Sequence, residues 1–156
     1  MSRLAQALAT KREEIERPSV LPLGSYEWEV TGQYETRETD EWEMLFVPVK
    51  CVSPCDDVDE DELREFGKVE GIRNSASFFF PKDESDKNGF DNAVFQAERF
   101  VEACGLEKEG DESLEEALAR LTGCRFMAPV THAQDKKDPE RINVNLGVPV
   151  AVGDDD

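Results

Sequence analysis

The chain has 156 residues and 38% apolar composition, enough for one substantial core and too little for two comfortable domains. Its formal net charge of −18 argues against a surface built throughout to grip phosphates, because affinity for nucleic acid comes from Lys and Arg displacing counterions. No run approaches the roughly 18 apolar residues of a membrane span and the N-terminus lacks the apolar stretch of a secretory signal, so a cytoplasmic protein is expected.

Residues 2–17 read as a helix, with Ser2 as cap, Leu4, Leu8 and Ile15 on one side and Pro18 as a stop. Being weakly apolar, residues 1–17 are expected to be an extension of the domain over 18–152. Pro22 and Gly24 open an alternating run with Tyr26, Trp28 and Val30 on the core-facing side and Glu27, Glu29 and Thr31 on the other, the pattern of a half-buried strand. A polar loop over 33–41 leads to a second strand at 42–52. Residues 53–66 carry seven acids against Arg64 alone. Within this acidic insertion, about 53–67, Asp59 is placed to cap a helix, Leu63 and Phe66 share one face, and Gly67 ends it.

A third strand is expected at about 69–80, closed by Pro81 and the turn-rich residues 82–89. Phe90, Val94, Ala97, Val101 and Cys104 then recur at helical spacing, with Gly105 where a left-handed C-terminal cap is wanted. A shorter helix starts at the cap Ser113, buries Leu114, Ala117, Leu118 and Leu121, and ends at Gly123. Two more strands follow, at about 124–133 and 141–152, the latter with Ile142, Val144, Leu146 and Val148 on one face. The acidic tail 153–156 is expected to be disordered. Five strands with a helical connection between the third and fourth point to a mainly β, five-stranded OB-fold barrel carrying an N-terminal helix; a helix-capped open sheet is the alternative.

The period of two assigns each strand residue to the core or the outside. In the second strand Leu45, Val47, Val49 and Cys51 make the inward row, which turns Trp42, Met44, Phe46, Pro48 and Lys50 outward. In the third, Ile72, Ala76, Phe78 and Phe80 face in, leaving Arg73, Ser75, Ser77 and Phe79 outside. An outward row of rings needs a partner or a cover, and bases stack on exposed aromatics whatever their sequence. Trp42, Phe46 and Phe79 are therefore candidate stacking residues, with Lys50 and Arg73 for phosphates. The loop at 133–140 adds Lys136 and Lys137, and Arg141, Asn143 and Asn145 alternate outward beyond it. The competing explanation for the aromatic row is that the N-terminal helix, through Leu4 and Leu8, or a second subunit lies over it. Against nucleic acid stand Glu35, Glu38, Asp40, Glu41 and Glu43, offset by Arg37 alone.

Catalytic machinery is not expected: His132 is the single histidine, and neither a Gly-rich phosphate loop nor a Gly-x-Ser-x-Gly turn occurs. Four cysteines are too few for a disulfide framework. Cys51, Cys55, Cys124 and His132 are the one conceivable zinc set, but Cys51 and Cys104 fall on core positions, so buried free thiols and no cofactor or metal are expected.

The phrases Leu21, Pro22, Leu23, Gly24, Ser25, Tyr26; Phe78, Phe79, Phe80; Arg99 to Leu106; Val130, Thr131, His132; and the Lys-rich turn before Ile142, Asn143, Val144 make residues 18–150 resemble phage-encoded OB-fold single-stranded DNA-binding proteins. The resemblance implies sequence-tolerant coating of single strands during phage DNA replication and recombination in the host cytoplasm, with replication or recombination proteins recruited through an acidic tail. Here that tail, Gly153 to Asp156, matches in charge but lacks a terminal apolar pair. A homodimer fits the exposed row equally. The alternative function is an acidic protein-interaction module, or a DNA mimic that inhibits a host nucleic-acid-binding protein.

Overall fold

The computed structural model describes residues 2–14, 20–108, 110–138 and 141–152. In chain order the elements are α1 (Arg3–Ala9), β1 (Gly24–Val30), β2 (Glu35–Glu38), β3 (Trp42–Pro54), α2 (Glu60–Phe66), β4 (Arg73–Pro81), α3 (Lys87–Ala103), α4 (Leu114–Ala119), β5 (Arg125–Gln134) and β6 (Ile142–Leu146), with a short 3₁₀ turn over Arg12–Glu14. All the strand pairings are antiparallel. The long β3 is the hub: β4 pairs along one edge, and the other edge is shared by β2 near its start and β1 near its end. Beyond β1 come β5 and β6. The ladder does not close into a ring. β2, β4 and β6 are edge strands, and the last two are joined across the gap by a side-chain hydrogen bond from Asn74 Nδ2 to the Val144 carbonyl at 3.0 Å.

The alternation expected of the strands is what builds the core. Tyr26, Trp28 and Val30 of β1, Leu45, Val47, Val49 and Cys51 of β3, and Ala76 and Phe78 of β4 are all buried, joined by Phe126, Ala128 and Val130 of β5. Buried polar atoms of the large rings find partners, as burial demands: Tyr26 Oη donates to the Pro22 carbonyl at 2.7 Å and Trp28 Nε1 to that of Ala128 at 3.2 Å. The helix α3 covers one side of the sheet by inserting Phe100 between Phe78 and Phe126, with ring centroids 5.6 and 4.9 Å away. The acidic segment is anchored rather than loose. Val58 is buried over Gly24, whose φ of +132° and whose contact, 2.5 Å from an added Cβ to Val58 Cγ2, both require glycine. Asp57 accepts from Ser25 N and Oγ, both at 2.9 Å.

Several expectations need correction. The polar stretch 33–41 contains a strand, β2, so the described residues form six strands where five were expected; its Glu and Thr residues hide the strand because neither of its faces is buried. The stripe of α3 holds at Ala97, Val101 and Cys104 but is wider than expected, taking in Ala93, Phe100 and Ala103, while Val94 is half-buried and Phe90 at the first turn is 48% exposed. The small Ala93 and Ala97 let the helix approach the sheet closely and seat Phe100, a packing choice that periodicity alone does not resolve. The third strand begins at Arg73, although Ile72 and Gly71 still exchange backbone hydrogen bonds with Cys51. The last strand ends at Leu146, because Gly147 and the N–H-less Pro149 interrupt it before one bridge re-forms between Val150 and Met127. Ile142 and Val148 are exposed accordingly. The first helix is short, with Leu4 and Leu8 68% and 78% exposed, so it does not cover the aromatic row. Residues 15–17 of the expected helix and the tail 153–156 lie outside the described residues. No helix among the described residues is long and apolar enough to cross a membrane.

Candidate nucleic-acid interface

Because β3 and β4 bury their alternate residues, their remaining side chains form one outward strip, and the pairing register fixes its order: Trp42 opposite Pro81, Met44 opposite Phe79, Phe46 opposite Ser77, Pro48 opposite Ser75, Lys50 opposite Arg73. One end of the strip is aromatic. Phe79, 50% exposed, presents its ring edge-to-face to Trp42 and to Phe46, with centroids 6.5 and 6.4 Å away. Such contacts contribute about 0.5–1.5 kcal/mol each beyond area burial and hold the three rings as one cluster. Trp42 is 40% exposed, and its backbone is pinned at the β2–β3 turn by Thr39, which accepts from Trp42 N through Oγ1 at 3.1 Å.

Phe46 is only half exposed, and the Arg37 guanidinium stands 5.7 Å from its ring centroid. Phe46 is therefore the floor of the cluster, and Trp42 and Phe79 offer the open ring faces. The sequence reading missed Arg37 as a site residue and counted it only as an offset to neighbouring acids. Had β2 been recognised, the hairpin register that sets Arg37 opposite Met44 would have put it on the outward face.

The other end of the strip is basic. Lys50 and Arg73 lie side by side across β3 and β4, about 13 Å along the strand from Phe46 by strand rise. Lys50 is shared with Glu29 at 3.5 Å. Glu29 also accepts from Arg125 Nε at 3.1 Å, and Arg125 reaches Glu27 at 3.3 Å, so two carboxylates and two cations tile the neighbouring face of β1 and β5. The hydrogen bond from Arg125, with Lys50 assisting, holds the Glu29 carboxyl below its ordinary range. Among the described residues Arg73 has no acidic partner.

The β5–β6 loop belongs to this basic end. Val144 sits beside Asn74, while Leu146, Gly147 and Pro149 line a small gap with Ala76, Ser77 and Phe78, so β6 runs alongside β4 in the same direction. Residues 135–138 and 141 therefore extend past the start of β4, where Arg73 lies. Asp135 organises the loop: its carboxylate accepts from Lys137 N at 2.8 Å, Asp138 N at 3.2 Å and Asn143 Nδ2 at 3.4 Å. The two backbone bonds hold its pKa below the usual carboxylate range and leave Lys136 and Lys137 exposed. Asn143 thus engages its own loop, and Arg141 closes it through backbone bonds with Asp135 and Asp138. The strip brings Trp42, Phe46, Phe79, Lys50 and Arg73 onto one surface; Lys136, Lys137 and Arg141 lie in the loop beyond its basic end, away from the rings.

All four cysteines are free thiols, and no three metal-ligating side chains come together among the described residues. His132 Nε2 lies 2.7 Å from the Leu21 carbonyl, tying β5 to the segment before β1. Comparison of the sequence with known protein families and with curated proteins returns no match.

Proposed function

We propose that the chain is an OB-type single-stranded nucleic-acid-binding domain that holds single-stranded DNA across the outward strip of β3 and β4. The observation that carries this reading is the ring cluster of Trp42, Phe79 and Phe46, half open to solvent on a rigid sheet and continuous with Lys50 and Arg73. Successive bases stack on such rings for about 1–3 kcal/mol each, and cations farther along follow the backbone. The strand order β4-β3-β1-β5-β6, with the gap between β4 and β6, supports an OB barrel left partly open. In that fold the faces corresponding to β3 and β4, with the loops corresponding to the β2–β3 turn and the β5–β6 loop, form the oligonucleotide surface. The resemblance to phage-encoded single-stranded DNA-binding proteins leads to the same role, coating single strands in replication or recombination.

The acids at the β2–β3 turn, Asp40, Glu41 and Glu43, flank Trp42 and limit affinity, so binding is weak and steeply salt-dependent. They also favour a second reading, an acidic protein-interaction surface or DNA mimic. A titration with oligo-dT at low salt separates the two. Trp42 is the exposed one of the two tryptophans, so stacking quenches its fluorescence and Trp42→Ala abolishes the signal, whereas Trp28→Phe preserves it. A chain that ignores single strands at every salt concentration is not a nucleic-acid-binding protein, and the acidic-module reading then stands.

A further inference from the structure

A cleft opens at the end of the sheet where β2, β3, β4 and the first turn of α3 meet, bordering the aromatic end of the outward strip at Met44 and Arg37. It has a volume of about 560 Å³ and an apolar floor of Met44, Leu45, Phe80, Pro81 and Phe90, with Glu38 and Glu43 against Arg37 at its polar margin. Phe90 is tilted against Phe80 at 6.1 Å yet remains half exposed, so this apolar floor faces solvent. Lys82 pairs with Glu38 at 3.0 Å, while Glu43, among the described residues, has no cation. The two segments bordering the cleft, 35–43 and 81–91, hold nine acids against Arg37, Lys82 and Lys87.

A complementary element exists in the same chain. Residues 2–12 carry Arg3, Lys11 and Arg12 and no acid, in a protein of net charge −18. Their helix α1 places Leu4 and Leu8 one turn apart on a single face, buries no residue of its own, and leaves both leucines largely exposed. A seven-residue helix is far below the length that is stable alone in water, so α1 requires something to pack against. A basic helix with two leucine knobs and an acidic cleft with an apolar floor match in charge and in character.

Topology selects whose cleft it is. The N-terminal segment enters the domain where β1 begins, beside Pro54 and Val58, at the far end of β3 from Glu43. Eleven residues of strand, about 37 Å, separate the two ends, and the connection from Thr10 to Val20 spans a similar distance only when fully drawn out. A neighbouring molecule's cleft imposes no such stretch.

We infer that α1 of one copy docks, through Leu4 and Leu8 with Arg3 and Lys11 at its margins, into the β2–β3–β4–α3 cleft of a second copy, making this chain self-associating without DNA. Reciprocal exchange gives a closed dimer, and one-way exchange gives a row of copies.

Sedimentation velocity on the full chain, free of nucleic acid, tests this. The wild type is expected to sediment as a dimer or larger at high micromolar concentration. Leu4→Asp/Leu8→Asp, which lacks only the helix knobs, and Glu43→Lys/Phe90→Ser, which lacks only the cleft, are each expected to weaken association by at least about tenfold. Mixing the two variants restores a complex, since one chain keeps its cleft and the other its helix. Glu43→Lys alone, a change at an exposed strand position, repeats the cleft test with the floor intact. A wild type that stays monomeric overturns the inference, as does a cleft variant that associates like the wild type or a mixture that fails to associate. Because no oligonucleotide is present, these outcomes are independent of the binding reading above.

Discussion

Both faces of β3 are hydrophobic, yet only one of them is fully buried. The inward row, Leu45, Val47, Val49 and Cys51, is buried by α3 and the facing strands. The outward row, Trp42, Met44, Phe46 and Pro48, is half-buried or exposed and has no helix of the described residues packed over it, although its side chains are larger. Hydrophobicity therefore does not decide which side of this strand is core; the sides on which β1, β4 and α3 supply partners do. The outward rings are organised by one another, through the edge-to-face contacts of Phe79, in place of a covering layer. A surface that keeps such rings ordered and open is available to flat ligands.

The contrast can be broken most severely from the inside. Val47→Asp places a carboxylate where no partner exists, and the cost of several kcal/mol is expected to abolish cooperative thermal unfolding in calorimetry. The same difference appears in thiol chemistry. Burial pushes Cys51 and Cys104 up to about 12, leaving them roughly a thousandfold poorer in thiolate than an ordinary cysteine at mildly alkaline pH. Mass spectrometry after native iodoacetamide treatment is expected to find label on Cys55 and Cys124 and none on Cys51 or Cys104; equal labelling contradicts the assignment of the inner row.

On the outer face, Trp42→Ala or Phe79→Ala is expected to weaken oligo-dT binding by about 5- to 150-fold, the range that stacking energies imply, while changing unfolding free energy by under about 1.5 kcal/mol. Equal losses of binding and stability would place these rings in the core after all. The smallest effect concerns pH at the basic end of the strip. The folded-state pKa values of Asp135 and Glu29 lie below their unfolded ones, so their contribution is complete above the ordinary carboxylate range and is lost as pH falls through the lowered values. The amide resonances of Lys137 and Asp138, which bond to Asp135, are expected to titrate with a midpoint below that range; an ordinary midpoint shows that the loop is not held by this carboxylate.

Local chemistry was enough to place most of the fold. Alternation put Tyr26 and Trp28 inside and Trp42 and Phe79 outside, and the caps Asp59 and Ser113 with the stops Gly67 and Gly105 mark helix ends where their side chains or positive φ values require them. These features are set within a few residues, by the pleat of a strand or by unsatisfied N–H groups at a helix start, and so they are legible in the chain itself. Interactions between distant segments were not. The strand at Glu35–Glu38 exists because β3 offers it an edge, the α3 face is chosen by where Phe100 fits between β4 and β5, and Arg37 reaches Phe46 only through the hairpin register. The gap between β4 and β6 and the exposure of α1 likewise depend on which partners arrive in space, and no periodicity within a single segment encodes that.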